Sequence, residues 1–223
     1  MIKRLLAAAV ACSFAFAPAA FAQEEAVAPT PAIPLSANPD LTYDTENILL
    51  LDLSNGRRVA IRLVPQWAPS HVERIKTLAR SGFYDGNIFH RVIDGFMAQT
   101  GDPTGTGRGG SELPDLPAEF NMFPHVRGSV SMARASDKDS ANSQFFIVFY
   151  PRFSLDRNYT NFGRVIAGMD AVDAIERGEP PANPTYIVQA SIAADGKPQK
   201  FAPPPQPVAP AVVPMDLGAA VTQ

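Results

Sequence analysis

Apolar residues fall in short runs along most of this chain, and only two stretches repeat them at helical spacing. Residues 48–53 and 58–63 are apolar-rich and flank Asn55-Gly56. That dipeptide accepts the positive φ angles of a tight hairpin turn, so the domain is predicted to open with two antiparallel strands. From Pro69, a residue suited to a first helical position, Val72, Ile75, Leu78 and Ala79 recur at helical spacing until Gly82 ends the pattern. Further short strands are predicted over 88–92, 97–99, 129–132, 145–149, 161–165 and 186–192, with a glycine-rich loop over 104–110. A second helix is predicted over 169–177, where Val172 and Ile175 share a face. Many short strands with two helices predict a mainly β fold, a closed antiparallel eight-stranded barrel capped by two α-helices.

The flanks read differently. Lys3 and Arg4 precede an apolar run over 5–17, and Ala20-Phe21-Ala22 supplies a small-x-small cleavage site, so residues 1–22 are predicted to be a secretory signal peptide. Pro29, Pro31, Pro34 and Pro39 mark 23–43 as a Pro/Ala-rich linker. Pro198, Pro203 to Pro205, Pro207, Pro210 and Pro214 mark 197–223 as a Pro-rich tail expected to be disordered, which leaves 44–196 as the folded domain.

With 46% hydrophobic and 18% charged residues, one globular core is expected. Losing Lys3 and Arg4 with the signal leaves 17 basic against 22 acidic side chains, which implies no nucleic-acid or anionic-membrane surface. The one cysteine, Cys12, lies inside the predicted signal, so no disulfide is expected; a lipoprotein acylated at Cys12 is the alternative reading. No later stretch is long and apolar enough to span a bilayer. The expected product is a monomer exported to the periplasm.

Several motifs resolve to nothing. Gly105-Thr106-Gly107-Arg108-Gly109-Gly110 matches the dinucleotide pattern literally, but Pro114 and Pro117 break up the segment where its helix would start, so a surface loop lining a cleft is expected. His71, His90 and His125 lack metal-ligand spacing, and Asp137-Lys138-Asp139 lacks the later glycine and glutamate of a calcium loop, so no metal is predicted. Ser131 and Ser143 have no His and Asp partners that the sequence nominates, which disfavours covalent catalysis.

The most informative stretch is Phe89-His90-Arg91-Val92-Ile93-Asp94-Gly95-Phe96-Met97-Ala98-Gln99-Thr100-Gly101-Asp102, joined downstream by Ser131-Met132-Ala133, Asn142-Ser143-Gln144-Phe145-Phe146-Ile147, Leu155-Asp156 and Phe162-Gly163-Arg164-Val165. One guanidinium and one amide among apolar residues suit the grip of a peptide bond better than hydrolysis. In order and spacing these motifs resemble the cyclophilins over about 150 residues. The resemblance implies a cyclophilin-like barrel and peptidyl-prolyl cis-trans isomerase activity on proline-containing unfolded or exported polypeptides, without a cofactor.

Residue by residue, it implies that Arg91 is the catalytic cation and that Gln99 orients it. It implies a proline pocket of Phe96, Met97, Phe146 and Leu155, with Tyr159 at a pocket position that is often histidine. Ala133, Arg134 and Gln144 would line the neighbouring groove, and family members use the main chain at the position of Arg134. Phe145 and Phe162 are read as barrel core. Ser154 stands where many eukaryotic members carry tryptophan, which speaks against binding of cyclosporin, the family's inhibitor. Arg134 replaces the commoner asparagine and adds charge at the groove edge. Two other readings are a non-catalytic proline-peptide chaperone, against which an intact Arg91 argues, and a lipocalin-like carrier barrel, which fits neither the two helices nor the glycine-rich groove.

Overall fold

The computed structural model describes residues 33–203. Eight antiparallel strands, β1 (Ile48–Leu53), β2 (Arg58–Leu63), β3 (Arg91–Ile93), β4 (Met97–Thr100), β5 (Ser129–Met132), β6 (Phe145–Val148), β7 (Asn161–Ala167) and β8 (Ile187–Ile192), form one curled sheet in the order β3-β4-β6-β5-β7-β2-β1-β8. The expected closure of the barrel is corrected. β3 and β8 end the order, and only isolated bridges, Ile88 to Tyr186 and Val92 to Gly178, span the gap. Pro180, Pro181 and Pro184 lie in the segment that would have to supply the missing rung, and a proline has no N–H to donate.

The hairpin at the start forms as expected, with Ile48 opposite Arg62 and Asp52 opposite Arg58, and Gly56 at φ +80° in the turn. Helix α1 (Pro69–Arg80) buries Val72, Ile75, Leu78 and Ala79 in the main core and packs on β8. Helix α2 (Met169–Asp173) is shorter than the predicted 169–177. The Arg177 guanidinium donates to the carbonyls of Asp173 and Ile175, so a side chain takes acceptors that a longer helix would have offered to backbone N–H groups. Phe145 and Phe162 are fully buried and meet edge to face at 6.2 Å between centroids, as core residues should.

Both expected tails touch the domain. From Pro34 on, the stretch read as linker is strapped to the sheet: Trp67 Nε1 donates to Pro34 O at 2.9 Å, and buried Arg62 donates to Asn38 O, Asp40 O and Asp44 O. At the other end Lys200 N donates to Asp52 Oδ2 at 2.8 Å and Gln189 Nε2 to Pro198 O at 3.0 Å. The predicted signal peptide with Cys12, the first part of the linker, and the tail beyond Pro203 lie outside the described residues. Among the described residues no helix is long and apolar enough to cross a membrane.

What places the site is the alternation of β4 and β6. Ala98, Phe145 and Ile147 point into the main core, while Met97, Phe146 and Val148 point the other way and form a second apolar cluster with Leu155. Ile93, Phe96, Ala133 and Tyr159 pack on that cluster.

Candidate active site

The β3–β4 hairpin sets Arg91 directly opposite Gln99, and the β4–β6 ladder sets Gln99 opposite Phe146. Cation, amide and ring therefore share one face of three adjacent strands. Around them is a cavity of about 210 Å³ lined by Arg91, Phe96, Met97, Gln99, Ala133, Arg134, Phe146, Leu155 and Tyr159. Phe146 and Tyr159 meet edge to face at 5.7 Å. A groove of about 550 Å³ adjoins it along a shared wall of Gln99, Ala133 and Arg134; Gln144 and the loop glycines Gly107, Gly109 and Gly110 complete its lining. All ten residues that sequence reasoning selected thus meet in two adjoining hollows.

Polar contacts fix their orientations in a chain. Arg91 Nη1 lies 3.5 Å from Gln99 Oε1, Gln99 Nε2 donates to Gln144 Oε1 at 2.9 Å, and Gln144 Nε2 donates to Gly109 O at 2.7 Å and Gly107 O at 3.1 Å. The glycine loop is itself held by buried Asp102, which accepts from Thr104 N and Thr104 Oγ1 through one oxygen and from Gly107 N and Gly109 N through the other. Burial alone would raise the Asp102 pKa, but these donors outweigh it and pull the carboxyl down to about 2. A side chain at Gly109 would stand 2.1 Å from Asp102 Oδ1, which requires glycine there. The loop expected to line a cleft does so.

Two features escaped the sequence. Glu179 Oε2 accepts from Arg91 Nε at 2.9 Å, so the guanidinium is held from a second side. Ser131 Oγ lies 2.8 Å from His125 Nε2, and His125 Nδ1 lies 2.8 Å from Asp156 Oδ1, so the serine does have the His and Asp partners that no motif announced. The arrangement is a strut and not a nucleophile. Ser131 and His125 are buried and line neither hollow, and the His125 ring stacks on Phe146 at 6.4 Å. Burial lowers the His125 pKa despite Asp156, so a neutral ring supports the floor of the cavity.

Residues 49–192 match the family model for the cyclophilin type peptidyl-prolyl cis-trans isomerases. The chain belongs to this family. A Brucella suis relative named "Probable peptidyl-prolyl cis-trans isomerase" is 49% identical over 170 residues, covering 69% of this chain and 86% of the relative. Peptidyl-prolyl cis-trans isomerase B of Bacillus subtilis is 41% identical over 128 residues, covering 57% of this chain and 89% of that one. Among solved structures, a cyclophilin from Hirschia baltica aligns with a TM-score of 0.63 at 30% identity, covering 68% of this chain and 76% of its own. A Cryptosporidium parvum cyclophilin type isomerase, crystallised in the presence of the dipeptide Ala-Pro, aligns with a TM-score of 0.60 at 29% identity, covering 65% and 98%. The activity of this cyclophilin is peptidyl-prolyl cis-trans isomerisation.

Proposed function

We propose that the 210 Å³ cavity holds the prolyl ring and that Arg91, positioned by Gln99, is the catalytic cation. Rotation about a peptide bond is slow because resonance gives the C–N bond partial double-bond character, with a barrier of roughly 18 to 20 kcal/mol. Only Xaa-Pro bonds have nearly balanced isomers worth interconverting. In the twisted state resonance is lost and the prolyl nitrogen regains its lone pair, to which a guanidinium can donate. A donor that binds the twisted state better than either planar isomer lowers the barrier, by about 1.36 kcal/mol for each tenfold in rate. The apolar wall of Phe96, Met97, Phe146 and Leu155 excludes water and strengthens that bond. No cofactor enters this scheme.

The observation that carries this reading is the Arg91–Gln99 pair standing beside the apolar side chains of Phe96, Met97, Phe146 and Leu155 in one proline-sized hollow. Ala133, Arg134 and Gln144 then receive the flanking peptide in the groove. The N-terminal signal pattern supports the further reading, proposed here with it, that the protein serves the folding of exported polypeptides in the periplasm as a monomer. A protease-coupled assay on an Ala-Pro peptide tests the site through Arg91→Ala. Fractionation with mass spectrometry tests export, with a mature N-terminus at Gln23 expected; retention of Met1 in the cytoplasm, or a lipidated Cys12, contradicts it.

A further inference from the structure

Two guanidinium groups, those of Arg91 and Arg134, line the proline-sized cavity, and a third, that of Arg152, lies over Phe96 on its rim; the three are held differently. Arg91 pairs with Glu179. Arg134 lies with its guanidinium carbon 4.7 Å from the Tyr159 ring centre, and Arg152 lies 4.9 Å from that of Phe96. Arg134 also donates to Asn158 O through Nε and Nη2 and to Ala135 O and Ser136 O through Nη1. Among the described residues neither Arg134 nor Arg152 forms a salt bridge, whereas Arg57, Arg58, Arg80, Arg127 and Arg177 each pair with a carboxylate. Ring faces and neutral carbonyls orient a cation without cancelling its charge.

The consequence is local positive charge on a chain whose formal net charge is −3. The adjoining groove is lined by Arg108 and Asp115, of opposite sign, and by Arg134 on the wall it shares with the cavity, so the surplus positive charge lies at that wall and on the aromatic rims contributed by Phe96 and Tyr159. We propose that Arg134 and Arg152 make this isomerase selective for prolyl substrates that carry a carboxylate within two residues of the proline. The proposal rests on the cavity being the proline site. With both rims occupied, a carboxylate on either side of the ring meets an uncompensated guanidinium, while a lysine there meets like charge. Such pairs are partly exposed, so the preference must fade as salt shortens the screening length from about 30 Å at 0.01 M to about 8 Å at 0.15 M.

The test measures kcat/KM of the full chain on peptides of one frame, with Glu, Gln or Lys placed directly before or directly after the proline. At low salt the Glu peptides are expected to exceed the Lys peptides about tenfold, an effect of about 1.4 kcal/mol, with Gln between them. Raising the salt should compress the ratio several-fold. Arg134→Gln and Arg152→Gln should each lower it, and the double variant should bring it to about one. A wild-type ratio under about twofold at low salt, a ratio indifferent to salt, or a ratio that survives in the double variant overturns the proposal; the salt series decides even if a variant misfolds. If the Gln peptides are not isomerised at all, the reading of the cavity as catalytic fails instead. The charge preference is then judged by the same ratio in the Kd values of these peptides from NMR titration.

Discussion

Gln99 Nε2 donates to Gln144 Oε1 at 2.9 Å, and this contact decides which way the Gln99 amide faces. Because Gln144 Nε2 is committed to Gly107 O and Gly109 O, Gln144 can offer Gln99 only its oxygen. Gln99 must answer with its nitrogen, which turns Oε1 toward Arg91. The orientation of the guanidinium thus depends on a loop held by Asp102 through Thr104, Gly107 and Gly109.

Arg91→Ala is expected to lower kcat/KM on an Ala-Pro peptide by about a hundredfold or more while leaving the fold intact, since Arg91 is 42% exposed and leaves no core void. Arg91→Lys should recover only part of the loss, because an ammonium lacks the planar fork that can meet Gln99, Glu179 and substrate together. Circular dichroism is the folding control. If folded Arg91→Ala keeps turnover within about threefold of wild type, a loss of only about 0.65 kcal/mol, the electrostatic mechanism is wrong.

Gly109→Ala should act on the same site from a distance. The added methyl meets Asp102 Oδ1 at 2.1 Å and Thr104 near 2.9 Å, so the loop must shift and release Gln144. We expect kcat/KM to fall about tenfold with the thermal midpoint lowered by only a few degrees, because the loop contributes nothing to the main core. Wild-type kinetics in this variant would show that the amide relay does not position Arg91.

Much of this was legible in the sequence, for identifiable reasons. The first hairpin announced itself through Asn55-Gly56, and α1 through Pro69 and its apolar face, because both signals are local. The site was legible through the resemblance to the cyclophilins, because Arg91 and Gln99 fall within one motif that it covers. What stayed hidden was non-local. Glu179 reaches Arg91 across 88 residues, and Asp156 reaches His125 across 31, with no spacing rule to flag either pair. Closure of the barrel was misjudged because strand counts do not reveal where prolines withhold the last rung, and α2 was drawn too long because periodicity cannot see Arg177 capping its carbonyls.

Stability should fall in two stages on acidification. Burial lowers the pKa of His71, His90 and His125 below the ordinary value, outweighing the pull of Glu119, Asp102 and Asp156 respectively. The unfolded chain then binds protons first, from about pH 6.5 downward, so the stability linked to these neutral rings is complete above that pH and lost below it. Asp102, held to about 2, contributes stability that is present above about pH 4 and lost as pH falls through 2. Thermal midpoints measured from pH 8 to pH 2 should show both slopes. A flat profile between pH 7 and pH 5 would contradict the assignment of neutral buried histidines.

The strap along the N-terminal side should matter to stability and not to catalysis. Arg62 is buried and donates to the carbonyls of Asn38, Asp40 and Asp44, of which Asp40 O and Asp44 O also accept from Tyr43 N and Asn47 N, while Trp67 stacks on Phe123 at 3.9 Å with Ala37 packed against the pair. Arg62→Ala frees the strap and removes bonds from a charged donor, which should cost about 2 to 4 kcal/mol. At roughly 2 to 4 °C per kcal/mol for a domain of this size, the midpoint should fall by about 4 to 16 °C. Deleting residues up to 43 should reproduce most of that drop, since it removes Pro34 O from Trp67 and two of the three Arg62 acceptors. At the other end, truncation after Asp195 removes the contacts of Pro198 O and Lys200 N and should lower the midpoint, whereas truncation after Lys200 should not. In every variant kcat/KM at 25 °C should stay within about twofold of wild type, because no residue of the strap lines the cavity or the groove. An unchanged midpoint in Arg62→Ala would mean that the strap is held by something other than these bonds, and a loss of turnover in a folded variant would mean that it reaches the site.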